Sequence, residues 1–141
     1  MSEELLKKYN AKQFSTVKTL LNKSDFVSLH CPGGTSNRHL INASNLAEAK
    51  PGLILINTAR GEVIDEAALP YALENNVVKA AGLDVFDGEP KINPVLMSAP
   101  NLVMLPHLGS AIKETREEIG FRALENGKAF FQGEISVDKV A

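Results

Sequence analysis

The apolar positions of this chain fall in two alternating rhythms, one with helical spacing and one of short unbroken runs. Residues 3–9 (EELLKKY) place Leu5, Leu6 and Tyr9 at helical spacing, and Asn10 breaks the pattern before a short β-like piece at residues 11–14. Ser15 or Thr16 then stands where an N-cap belongs, ahead of Val17, Leu20 and Leu21, and this predicts a second helix. Residues 25–30 (DFVSLH) are apolar, β-branched and aromatic, too few for a helix, and are closed by Cys31, Pro32, Gly33 and Gly34. The pattern is that of a buried strand opening into a loop. Residues 53–56 (LILI), 80–85 (AAGLDV) and 102–105 (LVML) repeat it.

Helical stretches lie between the runs. In residues 65–75 (DEAALPYALEN) Asp65 is placed to cap, and Ala68, Leu69, Ala72 and Leu73 supply a core face. Pro70 is the fifth position from Asp65, so it should bend this helix or move its start. Residues 113–132 form the longest helical pattern, with Ile119, Ala123 and Phe130 on one face and many charges elsewhere, and should pack as a surface helix. Strand, crossover helix and strand in alternation predict an α/β fold with a parallel sheet, because parallel neighbours need a connection of about a dozen residues or more.

Composition narrows the function classes. The chain has 141 residues, 44% hydrophobic, and a formal net charge of −2, which suits one globular domain at most and gives no basic footprint for nucleic acid. It has no apolar run of membrane-spanning length, and MSEELLKKYN is charged where a signal peptide is apolar, so the expected location is the cytoplasm, with no membrane partner. A lone cysteine, Cys31, forms no internal disulfide.

In parallel sheets, ligands bind at the carboxyl ends of the strands, so the polar residues after each run are the candidates. After the first run come His30, Cys31 and Pro32; after the second, Asn57, Thr58, Ala59 and Arg60; after the third, Asp84 and Glu89; after the fourth, Pro106, His107 and Gly109. A guanidinium presents a two-pronged donor for a carboxylate, and a carboxylate beside an imidazole favours its protonated form, ready to act as acid and, in reverse, as base. Each candidate has a plainer reading. Arg60 also suits a surface ion pair or a helix-start contact, Glu89 in DGEP a solvated turn, His30 and His39 loop packing, and Cys31 a small buried apolar group. Neither a metal-ligand spacing nor a hydrolase G-x-S-x-G, a P-loop or any G-x-G occurs.

The blocks DFVSLHCP (residues 25–32), RHLIN (38–42), KPGLILINTARG (50–61), GLDVFDGEP (82–90) and PHLGSA (106–111) carry a resemblance. In order and spacing they resemble the NAD(P)-dependent D-isomer-specific 2-hydroxyacid dehydrogenases, most of all the glyoxylate, hydroxypyruvate and glycerate branch. The resemblance implies a partial Rossmann-type, doubly wound parallel sheet lacking its first β-α-β unit. Residues 1–111 would be the C-terminal part of the NAD(P)-binding domain, and 112–141 a long helix and tail leading back toward an absent substrate domain. By the same resemblance Arg60 binds the substrate carboxylate, Glu89 pairs with the catalytic histidine, and that histidine, the general acid/base, is His107. Asp84 would meet the nicotinamide amide, while Cys31, Thr58, Ala59, Arg60 and the His107, Leu108 and Gly109 turn line the cofactor, NAD or NADP. The implied substrate is a small 2-keto or 2-hydroxy acid.

Several positions depart from the family pattern. Residues 33–37 read GGTSN where L-T-P-E-T is common, Pro70 interrupts a crossover helix, and Ile112 replaces a frequent Thr or Ser, leaving Ser110 as the expected cap of the last helix. The missing pyrophosphate loop implies that the isolated chain is inactive. The alternative is a non-catalytic truncated pseudoenzyme or interaction module. Either way the expected partner is a second copy or a complementing chain, because absent central strands would part residues 11–14 from the 25–30 strand and expose the latter's edge.

Overall fold

The computed structural model describes residues 2–139. Its sheet has four parallel strands, β1 (Phe26–Leu29), β2 (Leu53–Asn57), β3 (Val78–Leu83) and β4 (Leu102–Met104), paired in the order β1-β2-β3-β4. Every strand lies within two residues of an apolar run in the sequence. Alternation decides which side chains face the core: in β2, Leu53, Leu55 and Asn57 are buried while Ile54 and Ile56 are half-buried.

The helices begin where the sequence supplies caps. In α1 (Glu3–Lys8) the Ser2 hydroxyl accepts from the Leu5 amide, with Glu3 and Glu4 in the first turn and Lys7 and Lys8 in the last, all favourable to the helix dipole. In α2 (Val17–Lys23) the Thr16 hydroxyl takes the Thr19 amide at 3.1 Å. A short α3 (Ala43–Leu46), too brief for periodicity to reveal, is capped by the Asn42 side chain, whose Oδ1 accepts from the Asn45 amide. Leu21, Ile41, Leu46, Leu69, Leu73 and Leu96 join the strand residues in one buried cluster.

Four expectations are corrected. Residues 11–14 form no strand, since a strand exists only where a neighbour takes its N–H and C=O groups, and the sheet's pairing ends at β1. The sheet is therefore single rather than split. Second, α4 runs Leu69–Glu74, not from residue 65. A bridge between Ile41 and Ile64 holds the chain extended there, Asp65 Oδ1 accepts the Ala67 amide in a local turn, and Pro70 falls in the helix's first turn, where no N–H is needed. Third, α5 (Lys113–Phe131) buries none of its residues: Ile119 is 56% exposed and Phe130 75%. At 100° per residue Phe121, Leu124 and Phe131 lie about 120–200° around the helix from Ile119, so its apolar residues form no single stripe. Nor does Ser110 cap it. A turn in which the Ala111 amide bonds to the Leu108 carbonyl puts Ile112 at the N-cap, with no side-chain cap.

The chain divides into two compact units, Met1–Pro106 and His107–Ala141. Within the second, Arg122 forms a forked pair with Asp138, Nε to Oδ2 at 2.6 Å and Nη2 to Oδ1 at 3.0 Å, while Asn126 donates to the same carboxylate and accepts from Ser136. These bonds tie the tail to α5. The hydrogen bond donated by Arg122 holds the Asp138 carboxyl below its ordinary range, and the same bond raises the pKa of the guanidinium. No helix among the described residues is long and apolar enough to cross a membrane.

Candidate active site

The turn after β2 is set by its last residue. Asn57 is 1% exposed, and both ends of its amide bond back to the main chain: Oδ1 accepts from the Ala59 amide at 3.0 Å and Nδ2 donates to the Arg60 carbonyl at 2.9 Å. Fixing residues 57–60 in this way leaves Thr58 and Arg60 exposed and packs Ala59 against the core. Arg60 precedes a 3-10 turn (Gly61–Val63), and its Nη1 donates to the Ala59 carbonyl at 2.6 Å. The helix-start reading thus describes its backbone, while its side chain stays at the surface.

The loops after β1 and β3 close on this turn. At Gly61 a Cβ would overlap the Phe86 and Asp87 backbone, so only glycine lets the Arg60 turn lie against the β3 loop. At Gly33 a Cβ would meet the Glu62 carboxylate and come within 3.3 Å of Arg60 Cγ, and the Gly34 amide donates to Glu62 Oε1 at 2.6 Å. The GGTSN departure is therefore a close-packing device between the β1 loop and Glu62. Arg38 adds two exposed bridges, to Glu62 at 3.4 Å and to Asp87 at 2.8 Å.

Three carboxylates, two from the β3 loop and one packed against it, have separate duties. Asp84 is 6% exposed, and its amide bonds to the Asn57 carbonyl at 3.0 Å, extending the ladder beyond β3. Glu89 Oε1 accepts the Phe86 amide at 2.7 Å, so it is a fixed acceptor rather than only a solvated turn residue. Glu66, from the segment before α4, accepts the Asp87 amide at 2.8 Å. Burial raises the Glu66 pKa, the Asp87 amide partly offsets this, and the charges of Asp87 and Glu89 raise it further.

The structure thus brings the Arg60 and Glu89 loops together, with Asp84 on the same rim of the sheet. Cys31 is half-buried against the core, consistent with a small apolar role, while His30 is exposed with its Nε2 2.8 Å from the Ser28 hydroxyl. His39 lies in a loop at φ 51° with its amide on the Glu62 carbonyl. In the second unit His107 is half-buried at φ 54°, a left-handed conformation uncommon outside glycine, and it starts the turn of Leu108 and Gly109. Sequence reasoning missed Glu66, Glu62 and Arg38. An acid next to the expected cap Asp65 was the only trace of Glu66, whereas Asn57 was visible as a polar residue ending an apolar run.

The residue set suits the nicotinamide end of a dinucleotide. At the strand ends Asp84 is a carboxylate, and Ala59 and Cys31 are small side chains of the kind that admit a flat ring. Comparison with known proteins identifies the family of the domain. Residues 2–109 match the family "D-isomer specific 2-hydroxyacid dehydrogenase, NAD binding domain". The chain is 42% identical over 134 residues to glyoxylate/hydroxypyruvate reductase B of Enterobacter agglomerans, covering 94% of this chain and 41% of that protein. It superposes with a TM-score of 0.88 on the apo form of Rhodotorula graminis D-mandelate dehydrogenase, 31% identical, covering all of this chain and 41% of that one. The NADPH-dependent glyoxylate/hydroxypyruvate reductase of Sinorhizobium meliloti, in complex with NADP and malonate, matches with a TM-score of 0.83 at 36% identity, over 93% of this chain and 41% of its own. The chain therefore spans about two-fifths of the length of these relatives.

Proposed function

Because this chain belongs to the D-isomer specific 2-hydroxyacid dehydrogenase family through its NAD-binding domain, we propose that it is the nicotinamide-side portion of an NAD- or NADP-dependent oxidoreductase. The reaction interconverts a small 2-keto acid such as glyoxylate or hydroxypyruvate with its 2-hydroxy acid, the substrates named for its reductase relatives. Residues 1–111 complete the cofactor domain, and 112–141 lead out of it.

The observation that carries this reading is the Asn57-stapled turn, which presents Arg60 while Gly61 lets it lie on the backbone of the Glu89 loop. When bound, the reduced dinucleotide supplies the hydride to the keto carbon. Arg60 uses its parallel N–H donors to hold the substrate carboxylate and turn the keto group. His107 gives its proton to the oxygen as charge builds there, and takes it back in the oxidation direction. Glu89 is the carboxylate assigned as the partner of the catalytic histidine, the role the family resemblance gives it. Asp84 orients the nicotinamide amide, and Cys31, Thr58, Ala59, Leu108 and Gly109 line the ring's surroundings.

The isolated chain is inactive in this reading, because dinucleotides are normally gripped by a glycine loop at a helix N-terminus and no G-x-G-x-x-G occurs in these residues. The test is therefore a chimera in which the chain replaces the matching segment of the Enterobacter relative. It should reduce glyoxylate or hydroxypyruvate with NADH or NADPH, and His107→Ala should lower kcat by about 100-fold or more. A folded chimera without activity, or one indifferent to His107→Ala, contradicts the proposal.

A second reading, a non-catalytic module that pairs through its sheet edge, is favoured by Phe26 on edge strand β1, which is 66% exposed. Sedimentation separates the two: a stable dimer lost in Phe26→Lys supports it, and a monomer at all concentrations removes it.

A further inference from the structure

Glu66 belongs neither to the candidate catalytic set nor to any cofactor contact, yet it is a carboxylate only 6% exposed. It borders a cavity of about 390 Å³ also lined by Arg38, Asp65, Asp87 and Lys91. Its one hydrogen bond described above goes to a backbone amide, that of Asp87, and the preceding amide, that of Phe86, is held by Glu89. Two consecutive N–H groups are thus taken by two different carboxylates. The same Phe86 and Asp87 backbone is what Gly61, next to Arg60, lies against. A rotation of this peptide segment would move the Glu89 anchor and the surface under Arg60 together.

We propose that Glu66 is a positioning residue: by holding the Asp87 amide it fixes the peptide segment whose Phe86 amide orients the Glu89 carboxylate against the Arg60 turn. It touches no substrate and acts through Glu89. A carboxylate is placed here although burial disfavours its charge, and the Asp87 amide is the group it serves. Its geometry stands without any ligand. Only the catalytic meaning of orienting Glu89 rests on the dehydrogenase reading, so the test uses the ligand-free chain and can fail independently of that reading.

The test is amide hydrogen exchange and hydrogen-bond scalar coupling by NMR on the whole chain. Wild type should show couplings from the Asp87 amide nitrogen to the Glu66 carboxyl carbon and from the Phe86 nitrogen to the Glu89 carboxyl carbon. In Glu66→Ala, exchange should rise at least tenfold at Asp87 and also at Phe86, with the Phe86 to Glu89 coupling lost, while the β2 amides of Ile54 and Leu55 keep their rates. Glu66→Met, which fills the volume without an acceptor, serves if the alanine variant does not fold. Glu66→Gln, which retains an acceptor oxygen, should restore both amides. Unchanged exchange and coupling at Phe86 would overturn the proposal, as would an equal rise at Asp87, Phe86, Ile54 and Leu55, the sign of general destabilisation.

Discussion

The two compact units use similar apolar residues to opposite effect. In the first, alternate residues of β1 and β2 and Val78, Ala81 and Leu83 of β3 are closed from solvent together with Leu21 of α2, Leu46 of α3, Leu69 and Leu73 of α4, and Ile41. In the second, α5 carries Ile119, Phe121, Leu124, Phe130 and Phe131, and every one is more than half exposed. The polar groups differ in the same direction. Asn57 and Glu66 are buried and their side chains bond to main-chain atoms of the site loops, whereas the forked Arg122 and Asp138 pair is exposed. Apolar content alone therefore does not build a core. What builds it is a topology that brings several faces to one place, and the same topology supplies buried polar residues with backbone to hold.

The contrast can be broken most directly by truncation. Leu55→Ala, at a fully buried strand position, should cost about 2–5 kcal/mol in urea unfolding, while Leu124→Ala on α5, 70% exposed, should stay within about 0.5 kcal/mol. Similar losses at both sites would erase the distinction. Glycine substitution gives a smaller effect that changes sign between the units. Gly61→Ala forces a methyl into the Phe86 and Asp87 backbone and should destabilise by about 1–3 kcal/mol, with amide shifts centred on the β3 loop. Gly120→Ala meets nothing in α5 and should instead gain about 0.5–1 kcal/mol in the same unfolding assay.

A weaker effect still should appear in the pH dependence. The Glu66 pKa is raised above its ordinary 4.5 by burial, so the unfolded chain releases this proton before the folded one does. Its contribution is complete below the ordinary value and is lost as pH rises through the raised one. Glu66→Gln should remove that component from the stability curve above pH 4.5, and an unaltered curve would show Glu66 titrating as a solvated group. Least of all, Asp138→Asn should leave the midpoint of urea unfolding unchanged while loosening the tail, seen as faster backbone motion at residues 134–138 by NMR relaxation.

Much of this was legible in the sequence because it depends on local rules. Short apolar runs bounded by Gly, Pro or polar residues located β1 to β4, and a loop-forming residue after each run located the rim. What was not legible depends on partners. Residues 11–14 look like a strand yet have no neighbour to pair with, residue 65 looks like a helix start yet is held extended through the Ile41 and Ile64 bridge, and α5 looks amphipathic only if Phe121, Leu124 and Phe131 are ignored. Likewise Arg60 and Glu89 could be picked from their motifs, but Glu66 could not. Its role appears only when the fold sets it 21 positions before the amide it holds.

We propose that the loops after β1, β2 and β3 form the nicotinamide side of a dinucleotide site. The most direct measurement is an NMR titration of the whole chain with NADH and with reduced nicotinamide mononucleotide. Weak, saturable shifts are expected at the amides of Cys31, Thr58, Ala59 and Asp84 with both ligands, at similar affinity, since these residues hold no G-x-G-x-x-G loop to grip the pyrophosphate. Submicromolar NADH binding, or shifts that leave those four amides untouched, would contradict it.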